Sequence, residues 1–278
     1  MKDTTGFKIR FDIILDGASN KIVVEDLNNI KYIIKFPKEK AGIRINDHVT
    51  EFVACKIAKK LDFVVQEVDL GIYDQRVCVV IKMFDIIPET FAGFGSTTLE
   101  GDCFEYNLDS LLSLKINKSF GVSKAGYKEW VWDVFMLDML LGNFDRHERN
   151  WGFIKDDIGR YMPSPLYDFG SSLSPRLIGE DTDTYTDLHI RALIEKQQKS
   201  GIIVHGEKRL YMDIIKEYKN NNGLTQSILK LIRKYENIDI DDILNYVSNY
   251  NKEYEEHMRF LKRILNLKID MIKEVIAE

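Results

Sequence analysis

Cysteine is scarce in this chain: Cys55, Cys78 and Cys103 are the three in 278 residues. The number is odd and none stand at metal-ligand spacing, which argues against a disulfide scaffold and a thiolate zinc site. The thiols read as reduced, as in a cytoplasmic protein, and the apolar neighbours of Cys55 and Cys78 mark these two as core. Long apolar runs are also missing. No stretch of ~18 apolar residues is present to span a membrane, and Met1-Lys-Asp-Thr-Thr-Gly6 has no apolar signal segment. The expectation is a cytoplasmic protein with no membrane partner, signal-less export being left open. Excess positive charge is absent too. Lys and Arg number 39 against 44 Asp and Glu, for a net charge of −5, so direct nucleic-acid binding is not expected. No internal repeat, low-complexity block or long linker interrupts the chain.

What is present suffices for a sizeable core. Hydrophobic residues make up 45% and aromatics 11%, and this length suits one large domain or two lobes. The first third reads as strands around one helix. Phe11–Leu15, Lys21–Glu25 and Ile30–Phe36 are β-rich runs, the last closed by Pro37; residues 47–61 turn helical; Val65–Ile72 and Arg76–Phe84 return to strand. From Tyr127 onward the pattern is helical, apart from a hairpin near Trp151–Leu166 that turns at Asp157-Ile-Gly159. A two-lobed α+β fold follows, with a β-rich N-lobe over residues 1–84 and a helical C-lobe over residues 85–278.

The chemistry concentrates in Leu141-Gly-Asn-Phe-Asp145-Arg-His147-Glu-Arg-Asn150, followed 18 positions later by Asp168-Phe169-Gly170. An Asp, an Asn five residues on and then Asp-Phe-Gly form the polar inventory of phosphoryl transfer from Mg-ATP. One carboxylate, Asp145, receives a hydroxyl proton; the Asn150 amide and the Asp168 carboxylate bind the metal. Each motif alone is a commonplace of turns. Together, in this order and behind the apolar helix Glu129–Leu141, they are specific. That helix is apolar nearly all round and would hold Asp145 rigidly.

Asp145-Arg-His147-x-x-Asn150 with Tyr167-Asp168-Phe-Gly170-Ser-Ser-Leu resembles the HipA-like serine/threonine kinases, bacterial toxin kinases and their small single-domain relatives, over roughly residues 10–190. The resemblance implies a two-lobed protein-kinase-like fold, ATP and Mg²⁺ as cofactors, a protein serine or threonine as acceptor, and an antitoxin or other regulatory partner. Full-length HipA toxins carry an extra N-terminal subdomain before the nucleotide loop; here that loop begins near residue 16, so the subdomain and any antitoxin contact it carries are not expected. Lipid kinases of the phosphatidylinositol type share a similar loop. A lipid or small-molecule kinase is therefore one alternative, and a pseudokinase interaction module another.

The remaining candidates are softer. Asp16-Gly17-Ala18-Ser19-Asn20-Lys21 joins two strands and would cradle phosphates with backbone amides. It is equally a plain Asp-Gly hairpin, and it lacks the kinase triple-glycine pattern. The resemblance makes Ser19 a candidate regulatory autophosphorylation site, where a phosphoserine's charge would oppose the ATP phosphates. Lys35 is the candidate for the α- and β-phosphates, with Ile33 on the same strand face to roof an adenine while Tyr32, Ile34 and Phe36 point the other way. Glu51, on a helix face with Ala54, Cys55 and Ala58, would pair Lys35. Lys82-Met83-Phe84 stands where a hinge would meet adenine through backbone groups. His147 reads as a structural residue bonding the metal-loop backbone, since no second His or Cys stands at ligand spacing. Ser171–His189 corresponds to an activation loop, open to substrate binding or phosphorylation through its hydroxyls, or simply a mobile polar loop.

Overall fold

The apolar run Cys78–Ile81 is buried along its whole length, as a strand covered on both faces must be. It lies within the sheet of the first lobe in this computed structural model, which describes residues 2–13, 20–84, 91–94, 105–177 and 181–277. That lobe comprises β1 (Lys2–Asp3), β2 (Lys8–Ile9), β3 (Lys21–Glu25), β4 (Lys31–Lys35), β5 (Lys38–Lys40), β6 (Ile43–Ile45), α1 (Asp47–Lys60), β7 (Val68–Tyr73) and β8 (Arg76–Lys82). The main sheet has the order β1-β7-β8-β4-β3-β2. Side-chain alternation divides it between two cores. Tyr32, Ile34, Cys78 and Val80 fill one face. Val79 and Ile81 face α1 and join a core that continues into the second lobe.

The second lobe comprises β9 (Phe91–Gly93), α2 (Leu108–Ser113), α3 (Lys124–Leu141), β10 (Gly152–Lys155), β11 (Tyr161–Pro163), α4 (Asp187–Gln197), α5 (Tyr211–Glu217), α6 (Asn222–Glu236), α7 (Asp241–Tyr250) and α8 (Glu255–Ala277). The hairpin β10–β11 turns at Gly159, whose φ of 80° suits glycine. α7 reaches back to the first lobe. Lys60 pairs with Asp242 at 2.9 Å, and the Tyr250 hydroxyl donates to Gly71 O at 3.2 Å.

Two expectations need correction. Phe11–Leu15 is not a strand over its described part: residues 11–13 form a turn, Phe11 is 85% exposed, and the strand is Lys8–Ile9 instead. Arg10 N donates to Val23 O at 2.9 Å, and Ile13 N turns back to Arg10 O at 3.4 Å. Apolar spacing could not distinguish the exposed Phe11 from a buried one. After Pro37 the chain also makes the hairpin β5–β6, turned by Ala41 and Gly42 with φ of 53° and 76°.

α3 is the axis of the second lobe. Ser123 caps its start, accepting from Gly126 N at 3.1 Å. Gly142 ends it in the left-handed conformation with φ of 66°. Lys268 of α8 donates to the carbonyls of Met139 and Leu140 at 3.0 and 2.8 Å. Burial pushes the Lys268 ammonium down to about 7, while an unfolded lysine titrates near 10.4. The unfolded chain therefore holds the extra proton between those values. Stability rises with pH across that window and is lost as pH falls towards 7. Urea unfolding should show wild type gaining on the order of 3 kcal/mol more than Lys268→Met between pH 7 and pH 9.5. Equal gains would mean that Lys268 is not held neutral.

Candidate active site

Where α3 ends, one buried ion pair organises the loop that follows. Asp138 is a carboxylate in the last turns of an otherwise apolar buried helix, 1% exposed, and such a group needs partners. Arg146 supplies two: Nε to Asp138 Oδ2 at 2.8 Å and Nη2 to Oδ1 at 2.9 Å. Its remaining Nη1 donates to Asn150 O and Tyr167 O, both at 2.9 Å, and its guanidinium lies 4.8 Å from the Phe169 ring centroid. Arg146 thus ties the end of α3, the loop of Asp145 and Asn150 and the Asp168 turn together. Asn143 donates to Asp138 at 2.9 Å and accepts from Asp145 N at 3.2 Å. The Asn150 amide donates to Asp145 O at 2.8 Å, which spends its nitrogen and leaves the amide oxygen available as a ligand.

Across the cleft, Lys35 Nζ stands between two carboxylates, Glu51 Oε2 at 2.7 Å and Asp168 Oδ1 at 3.0 Å. The other Glu51 oxygen accepts from Gln66 Nε2 at 2.7 Å. Burial alone would lower the Lys35 ammonium, but Glu51 and Asp168 outweigh it and raise its pKa. Burial raises Glu51. Asp168 ends below the usual carboxylate range: burial opposes this, and Lys35 overcomes it. Asp168 is half-exposed towards the cleft and holds a φ of 57°, a strained value for a non-glycine residue.

Lys35, Glu51 and Asp168 are thus brought into contact by β4, α1 and the Asp168 turn, and Arg146 and Asn150 tie the loop of Asp145 to that turn. Ile33 lies on Lys35's side of the sheet, against the core under α1. Lys21 pairs Lys35 in register across β3–β4, and Asn20 O accepts from Phe36 N at 3.0 Å. Gly17, Ala18 and Ser19 lie outside the described residues. At the far end of β8, Met83 N is spent on Lys31 O at 2.9 Å, which leaves only its carbonyl for a base. Lys82 turns to Glu67 at 3.5 Å, and Phe84 packs on Tyr167. His147 is a correction. Its Nδ1 accepts from Arg149 N at 3.2 Å within its own loop, and the bond to the metal-loop backbone expected of it is made by Arg146.

Known proteins resemble this chain in sequence and in fold. The sequence matches the HipA-like C-terminal domain over residues 13–221. The chain belongs to the HipA-like C-terminal domain family. A serine/threonine-protein kinase of Helicobacter pylori, CtkA, is 30% identical over 273 residues, 93% of this chain and 82% of the relative. The crystal structure of the Helicobacter pylori proinflammatory kinase CtkA superposes with a TM-score of 0.81 at 28% identity, covering 100% of this chain and 99% of that one. HipA from Shewanella oneidensis, solved with HipB and operator DNA, gives a TM-score of 0.61 at 16% identity, over 96% of this chain and 67% of that one. The fold is therefore the two-lobed, protein-kinase-like fold of HipA-like proteins.

In this HipA-like chain the segment after Asp168 is pinned rather than free over its described residues. Ser172 and Thr182 are fully buried. Thr182 Oγ1 donates to Glu256 at 3.1 Å, Arg259 holds Asp183 at 3.0 Å, and Thr186 caps α4. Helix α8 supplies those partners from about 75 residues away, beyond what local composition conveys.

The Asp138–Arg146 pair yields a test. Arg146→Ala leaves a buried carboxylate unpaired and should cost about 3–5 kcal/mol. Asp138→Leu combined with Arg146→Met should recover most of that stability without recovering activity, because the carbonyls of Asn150 and Tyr167 still lose their donor. Urea unfolding and turnover of the two variants check this; a double variant with normal activity would sink the organising role.

Proposed function

We propose that this HipA-like kinase, a phosphotransferase, transfers the γ-phosphoryl of Mg-ATP to a serine or threonine of a protein. The observation that carries the reading is Lys35 held between Glu51 and Asp168 in the cleft that also presents Asp145 and Asn150. Glu51 orients Lys35, and Lys35 neutralises the α- and β-phosphates. Asp145 accepts the proton as the substrate oxygen bonds to the γ-phosphorus and the bond to the leaving ADP oxygen breaks. Asn150 and Asp168 are the residues for Mg²⁺. Their donor set fits: one half-exposed carboxylate and one amide oxygen suit a hard cation that also takes phosphate oxygens and water. When bound, the ion supplies charge neutralisation at the transferring phosphoryl group.

The boundary near residue 84 is our working division of the lobes. The serine/threonine acceptor rests on the likeness to CtkA. An antitoxin-like or other regulatory partner rests on the HipB seen with the Shewanella protein. No helix among the described residues is long and apolar enough to cross a membrane. Regulation by phosphate on Ser19 is part of the same proposal, and mass spectrometry of protein incubated with Mg-ATP reads it directly.

Asp145→Asn should lose on the order of 10²–10⁴-fold in turnover while still binding nucleotide, since it removes proton acceptance and leaves the phosphate contacts. Radiolabel transfer and an ATP thermal shift measure the two sides, and unchanged turnover would remove Asp145 from the mechanism. Asp168→Asn and Asn150→Ala should each raise the Mg²⁺ concentration needed for activity or abolish activity. Wild-type metal dependence in both would place the metal elsewhere. A phosphoproteome comparison of wild type with Asp145→Asn in the native host separates a protein acceptor from a lipid or small molecule.

A further inference from the structure

At the C-terminal end of α1 the junction of the lobes holds a cavity of about 180 Å³. Its walls are mostly apolar: Phe63, Val64, Trp130, Met136, Leu166 and Leu231. Two serines also line it, Ser164 from the end of β11 and Ser227 from α6. Each is 2% exposed, and neither hydroxyl has a hydrogen-bond partner. Buried hydroxyls without partners are costly and uncommon. The charges around the cavity are spent on each other. Lys230 binds Glu129 at 2.8 Å and Asp133 at 2.6 Å; Lys234 binds Leu61 O at 2.8 Å and Asp62 at 3.2 Å. The lining itself carries Asp62, Asp133, Lys230 and Lys234, so its charges balance and favour a neutral ligand. An apolar void of ~150 Å³ is enough for a benzene ring.

The cavity's walls connect to the cleft. Leu166 N donates to Val64 O and Gln66 N to Leu166 O, both at 2.9 Å. Gln66 holds Glu51, and Leu166 precedes Asp168 by two residues. A molecule touching Val64 and Leu166 at once presses on the bridge that positions both carboxylates around Lys35.

We propose that this cavity is a regulatory site for a neutral, single-ring molecule bearing one hydroxyl or carbonyl group. Ser164 and Ser227 bond the polar group, the apolar walls take the ring, and occupancy fixes the bridge that orders Glu51 and Asp168. Nucleotide affinity then rises because the cleft is pre-organised.

Phenol and toluene, matched in size and differing in the hydroxyl, are titrated into the full chain, with the indole N–H resonances of Trp130, Trp132 and Trp151 followed by NMR. We expect a saturable shift of Trp130 and about tenfold tighter binding of phenol than of toluene. The variants Ser164→Ala and Ser227→Ala, singly and together, should erase that preference while toluene still binds. Saturating phenol should tighten ATP binding several-fold in wild type, and the double variant should need about tenfold more phenol for the same effect. No saturable shift, or equal affinity for the two probes in wild type, overturns the site. Saturation without any change in ATP affinity overturns the regulation. Both readouts are of binding, so they stand apart from whether the chain transfers phosphate.

Discussion

One ammonium group shared between two carboxylates is the constraint on which this structure turns. Lys35 comes from β4, Glu51 from α1 and Asp168 from the loop of the second lobe, so the trio exists only when the sheet, the helix and the helical lobe are all docked. The set carries one positive and two negative charges. That imbalance keeps Lys35 protonated, while burial and the neighbouring Asp168 raise Glu51. Taking such groups out of water is expensive, and a buried ion pair is poor evidence of stability. It is better read as a device for holding charge in readiness, with Asp168 left half-exposed to what enters the cleft.

The rest of the molecule supports that constraint from two sides. Gln66 fixes Glu51 from beneath, and α7 braces the first lobe through Asp242 and Tyr250. On the other side Asp138 and Arg146 set the loop that carries Asp145 and Asn150. Arg146 reaches the carbonyls on both sides of the hairpin β10–β11. The helix that bears Asp138 is closed by Gly142 and Lys268, so a residue near the C-terminus terminates the element that presents the catalytic loop. Rigid positioning of this kind is the main resource in phosphoryl transfer, where the protein does little covalent chemistry of its own.

The sequence alone determined the elements with strong periodicity and the residues with strong motifs. Val77–Ile81 could only be a buried strand, the run up to Leu141 only a buried helix. The ordered set Asp145, Asn150, Asp168 carried the family resemblance because three weak signals at fixed spacing exclude chance. The pairing of Lys35 with Glu51 was legible in part: an ordinary first-turn glutamate fits the helix face equally well, and the motif context favoured the pair. Tertiary structure alone decided the partners that come from far along the chain. Arg146 rather than His147 ties the metal loop, Glu256 and Arg259 pin the segment after Asp168, and Lys268 caps α3. Asp138, a charge among the apolar side chains of the last turns of α3, was a signal that a partner was needed, but no local rule chose Arg146. Exposed Phe11 and the hairpin after Pro37 were beyond reach for the same reason: period and propensity report what a residue prefers, while burial and long-range hydrogen bonds are settled only when the lobes close on each other.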